Sequence, residues 1–414
     1  MKTSSRLFTY ENGLLLLLGF TFGLVFFDRN AINLLMPGII ADLGLNNTQV
    51  GLLGSGLSAA WAVSAYAIGA WSDRSGMRKP FLLVSTLVFS LCSSLSGLAG
   101  SFAALLLVRI VMGLAEGPFL PICFAIMNVE SSPTRRGVNA GLMQNVFASF
   151  LGTTLAPVVL TWLSQEYGWR PAFYVTGIPG LICAFLIWKF VREPAPEPQG
   201  ESSAADKPGL FAMLRERNIL ICCGISIFMV SWYLVGLIFM PLYFTVMRGM
   251  SDTDMGLVIA PMGFATMICG FVVPALSDRF GRKPIMAVFT FIGLLTPIAA
   301  LHFGGPLWML SVLLLIGWSG SGSFALFMGV VPAETAPRAL AASSMGLVVG
   351  VGELFGGVVS PTLAGAIADR TSLVAPMVVM MVCATIAGVL SLFLVETAPR
   401  KKASMQRIQL AQAA

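Results

Sequence analysis

The chain has 414 residues, of which 57% are hydrophobic and only 11% are charged, and its mean hydropathy is +0.85. Because soluble domains carry about 25% charged residues, this composition excludes a soluble protein and predicts one that crosses a membrane many times. The seven cysteines fall in apolar runs without metal-ligand spacing, and the single histidine lies near the end of such a run, so we expect no metal site, no cofactor and no histidine-centred catalysis.

Twelve apolar runs follow one another along the chain, and each is long enough for a transmembrane helix of about 20 residues. We therefore predict an all-α membrane protein with twelve transmembrane helices, called spans 1 to 12. The first run is too long for the apolar part of a secretory signal, so we expect no cleaved leader. The predicted spans are 13–40, 49–71, 80–99, 101–127, 139–164, 170–191, 218–246, 254–276, 284–303, 306–331, 340–367 and 373–395.

The lysines and arginines fall mainly on one side of these spans. Only Arg170, Arg248 and Arg370 fall on the other side, and Arg29 and Arg109 lie inside spans. Because positively charged loops stay in the cytoplasm, we expect both termini to be cytoplasmic and the protein to lie in a bacterial inner membrane. The net charge of +6 is then a topology signal and gives no case for nucleic-acid binding.

The second half of the chain repeats landmarks of the first. The segment GAWSDRSGMRK after span 2 returns as PALSDRFGRK after span 8, with Asp73 and Asp278 205 positions apart. Pro157 and Pro361 are 204 positions apart. A nearly constant offset of this kind indicates a parallel duplication of a six-helix unit. We therefore predict two six-helix bundles.

The predicted bundles comprise residues 1–192 and 217–414. The segment 193–216 between them is rich in Pro, Ser, Ala, Glu and Lys, which is typical of a linker, and it falls on the cytoplasmic side.

The repeated loop resembles the signature of the major facilitator superfamily, whose members are membrane transporters with this twelve-helix fold. The glycines allow a tight turn, and the aspartates can cap a helix or pair with the basic cluster. We interpret Asp73, Arg74, Asp278 and Arg279 as conformational latches between transport states. A role in setting topology by charge alone stays open.

Spans 1 and 4 carry charged residues at membrane depth. Span 1 contains Asp28, Arg29 and Asn33, and the last two share a helical face while Asp28 is turned about 100° away. Arg109 and Glu116 of span 4 are seven positions apart, hence on one face about 10 Å from each other. Such residues cost roughly 2.5–3.5 kcal/mol each on insertion, so they normally face a protein interior or a cavity. They indicate a site for an anion and a proton; a structural ion pair or an interfacial arginine is the alternative.

Together these residues resemble the anion:cation symporter branch of the superfamily, which includes sugar-acid/proton symporters, sialin and the vesicular glutamate carriers. The resemblance implies that Arg29 or Arg109 holds the substrate carboxylate. It also implies that Asp28 and Glu116 carry protons. Guanidinium binds carboxylate through two parallel hydrogen bonds, and a carboxyl group in a low-dielectric cavity has a raised pKa, which suits both roles.

Other polar residues indicate a cavity more weakly. Glu353 in span 11 is interpreted as a second proton site or substrate contact, with a structural buried carboxyl as the alternative. We also assign Asn33, Tyr66, Gln144, Asn145 and Trp318 to the substrate site, although aromatic residues in spans more often serve packing.

The expected function is proton-driven symport of a small organic acid anion by a monomeric carrier, with no chemical reaction and hence no enzyme. Its expected partners are the organic anion, the proton and the lipid bilayer. Rival hypotheses are exchange of organic anions or sugar phosphates, proton-driven drug efflux, and a sensor that binds an acid without moving it.

Overall fold

The structure is a computed structural model that describes residues 9–132, 135–194, 214–336 and 340–398, and these residues form helices and no strand. Twelve of the helices are long and apolar enough to cross a membrane. The predicted all-α fold with twelve spans is therefore confirmed. In chain order, spans 1 to 12 are Tyr10–Leu43, Asn47–Ser72, Lys79–Ser96, Phe102–Glu130, Val138–Tyr167, Trp169–Phe190, Arg217–Met247, Asp252–Phe280, Arg282–His302, Leu307–Thr335, Ser343–Arg370 and Val374–Ser391.

Short polar residues and glycines set the ends of several spans. The side chain of Thr9 accepts a hydrogen bond from the backbone N–H of Asn12 at the start of span 1, and Ser101 does the same at the start of span 4. Span 1 ends where Gly44 adopts φ 64°, a left-handed conformation that glycine reaches without steric cost. These caps satisfy backbone groups that an apolar environment would leave unpaired.

Spans 5 and 11 both change their helical winding just before a proline. Span 5 is a π-helix over Leu142–Leu155, ahead of Pro157, and span 11 is a π-helix over Glu353–Val359, ahead of Pro361. A proline has no N–H for the carbonyl four residues earlier, and a wider turn rearranges the carbonyls that this frees. The two irregularities occupy matching places in the duplicated sequence.

The contacts divide the chain into two compact units. The first unit comprises Met1–Leu45, Leu52–Gln199 and Ser251–Gly263. The second comprises Asn46–Gly51, Gly200–Met250 and Phe264–Ala414. Residues 195–213 of the predicted linker lie outside the described part of the chain.

The short segments Asn46–Gly51 and Ser251–Gly263 pack closely in their units. In the second unit, a Cβ atom at Gly51 would overlap the carbonyl oxygen of Pro361. In the first unit, a Cβ atom at Gly256 would overlap the carbonyl oxygen of Pro157 at 2.5 Å. The duplication relates the two glycines to each other and the two prolines to each other, so one backbone contact occurs in both units.

Each of these glycine contacts is accompanied by a threonine hydrogen bond. In the second unit, Asp369 accepts hydrogen bonds from the backbone of Asn47 at 2.7 Å and from the backbone and hydroxyl of Thr48 at 2.8 and 2.5 Å. In the first unit, the hydroxyl of Thr253 donates to the amide oxygen of Gln165. The matching positions therefore hold a carboxylate in one unit and an amide in the other.

The two signature loops contain the tight turns that the sequence predicts. Gly76 has φ 67° and Gly281 has φ 109°, so both adopt backbone conformations that favour glycine. After each turn a distant glutamate accepts hydrogen bonds from the first backbone N–H groups of the next span. Glu193 accepts from Arg78 and Lys79 before span 3, and Glu396 accepts from residues 282 and 283 at 2.8 and 3.3 Å before span 9.

We expect Glu396→Ala to lower the free energy of unfolding by about 1 kcal/mol, because span 9 would lose the acceptor for its first N–H groups. Thermal unfolding of the detergent-solubilised protein measures the change. Glu166→Ala is the matched control, since Glu166 is exposed and its removal should leave the unfolding midpoint unchanged. Equal midpoints for the two variants would contradict a capping role for Glu396.

Candidate functional site

Close packing of span 4 against span 2 places the charged residues of the first unit side by side. A Cβ atom at Gly113 would overlap the carbonyl oxygen of Leu57, and one at Gly117 would overlap that of Trp61. Small residues allow this approach of two helix backbones within a membrane protein. The hydroxyl of Ser64 adds a hydrogen bond to the carbonyl of Gly113 at 3.2 Å. The helical turns between Arg109 and Glu116 therefore lie against span 2.

Arg29 of span 1 is half-buried and faces span 2. Its Nη2 atom donates to the hydroxyl of Ser58 at 3.3 Å. The guanidinium carbon lies 6.0 Å from the ring centroid of Phe26 and 5.9 Å from that of Trp61, distances at which the rings attract a cation. Most of the hydrogen-bonding capacity of this guanidinium is not used by described residues.

Arg109 of span 4 is 2% exposed and binds the backbone of span 1. Its Nη2 atom donates to the carbonyl oxygen of Arg29 at 3.1 Å, and Nη1 lies 3.5 Å from the carbonyl oxygen of Asp28 and 3.3 Å from the sulfur of Met112. We expected either arginine to hold a substrate carboxylate, but the two differ in the hydrogen-bond donors that they have available. Arg29 has donors to spare, whereas Arg109 joins two helices.

Glu116 is 1% exposed, and neither of its carboxyl oxygens has a hydrogen-bond partner among the described residues. Arg29 and Arg109 both act on it electrostatically. The alternative of a simple ion pair within span 4 is not what the structure contains, since Arg109 forms no salt bridge with Glu116 among the described residues. The Glu116 carboxyl is instead buried within the electrostatic field of Arg29 and Arg109.

Asp28 is 1% exposed and lies on a different face of span 1 from Arg29, as the helical period predicts. Its carboxyl lies beside the hydroxyls of Ser93 in span 3 and Thr176 in span 6. It also interacts electrostatically with Glu116 and Arg109. The sequence analysis missed both hydroxyl residues, and only the repeated serines of span 3 could have indicated a polar helix face.

The remaining substrate candidates lie in different surroundings. Asn33 is buried one turn beyond Arg29, and Asn145 is half-buried in the π-helical part of span 5, next to the exposed Gln144. Tyr66 is 83% exposed, so no buried pocket encloses its ring. These positions remain predictions, and Asn33 is the one that shares a helical face with Arg29.

Trp318 lies in an aromatic cluster of the second unit. Its ring centroid is 4.6 Å from that of Trp232 and 5.2 Å from that of Tyr233, and its indole N–H donates to the hydroxyl of Thr266 at 3.1 Å. The side chain is fully buried. In this structure Trp318 packs against aromatic neighbours, as aromatic residues in spans more often do, and its assignment to the substrate site stays a prediction.

Glu353 begins the π-helix of span 11 and is half-buried. Its carboxylate lies over the backbone of Gly357, at a place where a Cβ atom would be 2.8 Å from the oxygen. The absence of a side chain at Gly357 thus makes room for the carboxylate. The roles predicted for Glu353 stay predictions.

The signature loop of the second unit forms an ionic network around a residue that the sequence analysis did not assign. Arg282 is buried and binds Asp278 at 2.6 Å, Glu334 at 2.8 Å and the hydroxyl of Ser277 at 2.6 Å. Arg279 is exposed beside the ring of Phe280. The network connects the ends of spans 8, 9 and 10.

In the first unit, the matching arginine, Arg78, donates to the hydroxyl of Ser72 at 3.3 Å. Arg74 is exposed, and the side chain of Asp73 lies outside the described part of the structure. Glu334 repeats Glu130 at an offset of 204 positions, and this repeat was a signal that could have indicated Arg282. No cluster of metal ligands occurs among the described residues.

Comparison with known proteins gives one family and several relatives. The model of the Major Facilitator Superfamily matches residues 18–356. A probable 4-methylmuconolactone transporter of Cupriavidus pinatubonensis is 29% identical over 339 residues, covering 80% of this chain and 78% of the relative. A probable galactarate/D-glucarate transporter of Bacillus subtilis is 24% identical over 423 residues, covering 92% and 90%. The crystal structure of a D-xylose-proton symporter is similar in fold, with a TM-score of 0.77 at 18% identity, covering 94% of this chain and 99% of that one.

The same substitution should have different effects on stability at the two arginines. Arg109→Lys should lower the free energy of unfolding by about 2 kcal/mol, because a lysine ammonium cannot reach both carbonyls of span 1 and hydrogen bonds from charged groups contribute about 1.5–3 kcal/mol. Arg29→Lys should change it by less than about 0.5 kcal/mol, since Ser58 is the only described residue to which the Arg29 side chain donates a hydrogen bond. Thermal unfolding in detergent compares the two variants, and equal losses would show that Arg109 does not join the helices.

Proposed function

Because the chain belongs to the Major Facilitator Superfamily, we propose that it carries a small organic acid anion together with protons by alternating access. Family membership makes it a multi-pass membrane transporter and not an enzyme. The substrate class is supported by the names of two relatives, which are carriers of 4-methylmuconolactone and of galactarate or D-glucarate. These compounds are small organic acids.

The observation that carries the proposal is the environment and hydrogen bonding of the Arg29 guanidinium. This guanidinium is half-buried, lies between two aromatic rings and bonds Ser58 through a single nitrogen. A planar guanidinium accepts a carboxylate through two parallel hydrogen bonds, and desolvation strengthens the pair. We infer that Arg29 binds the substrate carboxylate and that Asn33, on the same face, adds a polar contact.

The position of Glu116 supports proton coupling. When ionised, Glu116 attracts Arg29 and Arg109 and repels an incoming anion. When protonated, it releases Arg29 for the substrate. Proton binding and anion binding therefore favour each other, and by linkage each raises the affinity for the other equally.

A count of buried charges gives the expected stoichiometry. Asp28, Glu116, Arg29 and Arg109 sum to zero when all are ionised. A bound monoanion leaves one excess negative charge, and a dianion leaves two. Because unpaired buried charge is costly, we propose that one acid is protonated with a monoanion and both acids with a dianion.

Several features of the wider molecule belong to the same proposal. We propose cytoplasmic termini and a bacterial inner membrane from the distribution of Lys and Arg, and a monomer because all four charges come from one chain. The six-helix bundles 1–192 and 217–414 would move as the two halves of the carrier. The network of Asp278, Arg282 and Glu334 would be broken and reformed as a latch during this motion.

Uptake into proteoliposomes tests the proposal. We expect D-glucarate or 4-methylmuconolactone to accumulate when the outside is made acidic, and D-glucitol, the neutral polyol with the carbon skeleton of glucarate, to stay out. The dianion should enter with about two protons and without net charge, which a pH-sensitive dye and a potential-sensitive dye record together. If the uptake of organic acids does not depend on the pH gradient, this result would contradict proton coupling and favour anion exchange.

Arg29→Lys supplies the matched variant for this assay. It keeps the charge but loses the planar fork, so the KM for the transported acid should rise about tenfold with little loss of folded protein. An unchanged KM would remove Arg29 from the substrate site.

Glu116→Gln should separate binding from coupling, because the amide resembles the protonated acid but releases no proton. We expect this variant to exchange internal for external substrate at a rate near that of the wild type. It should concentrate D-glucarate less than the wild type does when a pH gradient is imposed, because only Asp28 then carries a proton. Glu166→Gln, an exposed site in span 5, is the control and should behave as the wild type. If Glu116→Gln accumulates substrate to the wild-type level, the proton travels elsewhere, and Asp28→Asn is the next variant to assay.

A further inference from the structure

The carboxyl of Asp28 is separated from the proposed substrate contact by the body of span 1. It lies beside Ser93 and Thr176, on the side of spans 3 and 6, whereas Arg29 faces Ser58 and Trp61 in span 2. All three residues of this polar contact are buried. Neither carboxyl oxygen completes a hydrogen bond with a described group. A buried carboxyl without a donor needs an explanation.

The hydrogen bonds of the two hydroxyls supply that explanation. Thr176 donates to the carbonyl oxygen of Phe173, in its own helix, at 2.9 Å. The oxygen atoms of Ser93 and Thr176 are 2.5 Å apart, a distance at which either can donate, and while the proton of Thr176 is on the carbonyl of Phe173 the donor is Ser93. Each hydroxyl has one proton to give, so both donors are occupied. Towards Asp28 the pair presents lone pairs only.

A protonated carboxyl matches lone pairs because it can donate a hydrogen bond, whereas a carboxylate requires a donor. For Asp28 to lose its proton, one hydroxyl must turn towards it. Ser93 can turn at the loss of its bond to Thr176, but Thr176 would have to leave its helix carbonyl. The direction of the Ser93 hydroxyl is therefore coupled to the protonation of Asp28.

The other charged and titratable groups near Asp28 come from spans 3 and 4. Arg109 and Glu116 of span 4 act on its carboxyl, with opposite signs. Cys92 of span 3 interacts with the same two residues. Span 6 contributes the hydroxyl of Thr176. Ser93 and Thr176 are thus the uncharged neighbours of the Asp28 carboxyl. A substitution at either residue changes the hydrogen bonding around Asp28 without changing the charge.

We propose that Ser93 and Thr176 are positioning residues for the proton of Asp28, with the Ser93 hydroxyl donating to Thr176 when Asp28 is protonated and to Asp28 when it is ionised. This inference rests on the proposed proton coupling, in which Asp28 takes up a proton. It assigns proton binding by Asp28 to the side of span 1 that faces spans 3 and 6, away from the substrate carboxylate on Arg29.

The proposal predicts opposite effects for the two hydroxyls. Ser93→Ala removes the donor that stabilises the carboxylate, so Asp28 should keep its proton to a pH about one unit higher. Thr176→Val removes the acceptor that competes for the Ser93 hydroxyl, so Ser93 is free to donate to the carboxylate. Asp28 should then lose its proton at a pH about one unit lower. A role in packing alone would not give opposite signs.

Infrared difference titration of the full-length protein in lipid measures this without any substrate. The band of protonated Asp28 is identified as the carboxyl signal that Asp28→Asn removes. Ser96→Ala is the matched control, because the hydroxyl of Ser96 bonds only the carbonyl of Cys92 in its own helix at 2.9 Å. The titration midpoint of the Asp28 band should stay at the wild-type value in Ser96→Ala. The conservative variants Ser93→Thr and Thr176→Ser keep a hydroxyl and should restore the wild-type midpoint even where alanine or valine lowers the yield.

Midpoints that move in opposite directions support the proposal. Midpoints that do not move, or that move in the same direction in Ser93→Ala and Thr176→Val, overturn it, as does an Asp28 band that never titrates. D-Glucarate uptake by the wild type under a pH gradient is recorded in parallel. If that uptake does not depend on the pH gradient while the titration midpoints still move in opposite directions, the role of the hydroxyl pair is supported and the proposed proton coupling is contradicted.

Discussion

The burial of the Arg109 guanidinium against the backbone of span 1 is the interaction on which the arrangement of the charged residues depends. A cation at this depth requires acceptors, and the structure supplies the carbonyls of Asp28 and Arg29 together with the field of Glu116. Because both carbonyls belong to one turn of span 1, these contacts fix the rotation of that helix relative to span 4. The side chains of the same two residues are then directed to different neighbours.

This fixed rotation gives adjacent residues separate chemical surroundings. Arg29 meets the rings and hydroxyl of spans 1 and 2, where a planar anion can be bound, and Asp28 meets the hydroxyls of spans 3 and 6. Glu116 lies in reach of both through its electrostatic interactions. One helical turn therefore keeps the two acids close enough to influence each other, while the proposed substrate contact and the hydroxyl pair stay on different faces. A carrier that couples two ligands needs both of these properties.

Hydropathy was enough to predict the twelve spans, the repeated landmarks to predict the duplication, and the helical period to predict the separate faces of Asp28 and Arg29. The acceptors of Arg109 could not be predicted, because every residue has a backbone carbonyl and none is marked in the sequence. Ser93 and Thr176 are 83 positions apart in the chain and lie in different helices, so their hydrogen bond could not be predicted without the folded structure. The packing of Trp318 against Trp232 and Tyr233 could not be predicted either, because residue type alone indicates only that an indole could line a cavity.

The threonine contacts at Asp369 and Gln165 show how a duplicated scaffold becomes unequal while its backbone packing is retained. Thr48 bonds a carboxylate in one unit, and Thr253 bonds an amide at the matching place in the other. Dissolved ions screen the first of these contacts and acid neutralises it, whereas neither affects the second. The same contact thus responds differently to the surrounding solution in the two units that the duplication produced, and at this place the difference resides in the carboxyl group of Asp369.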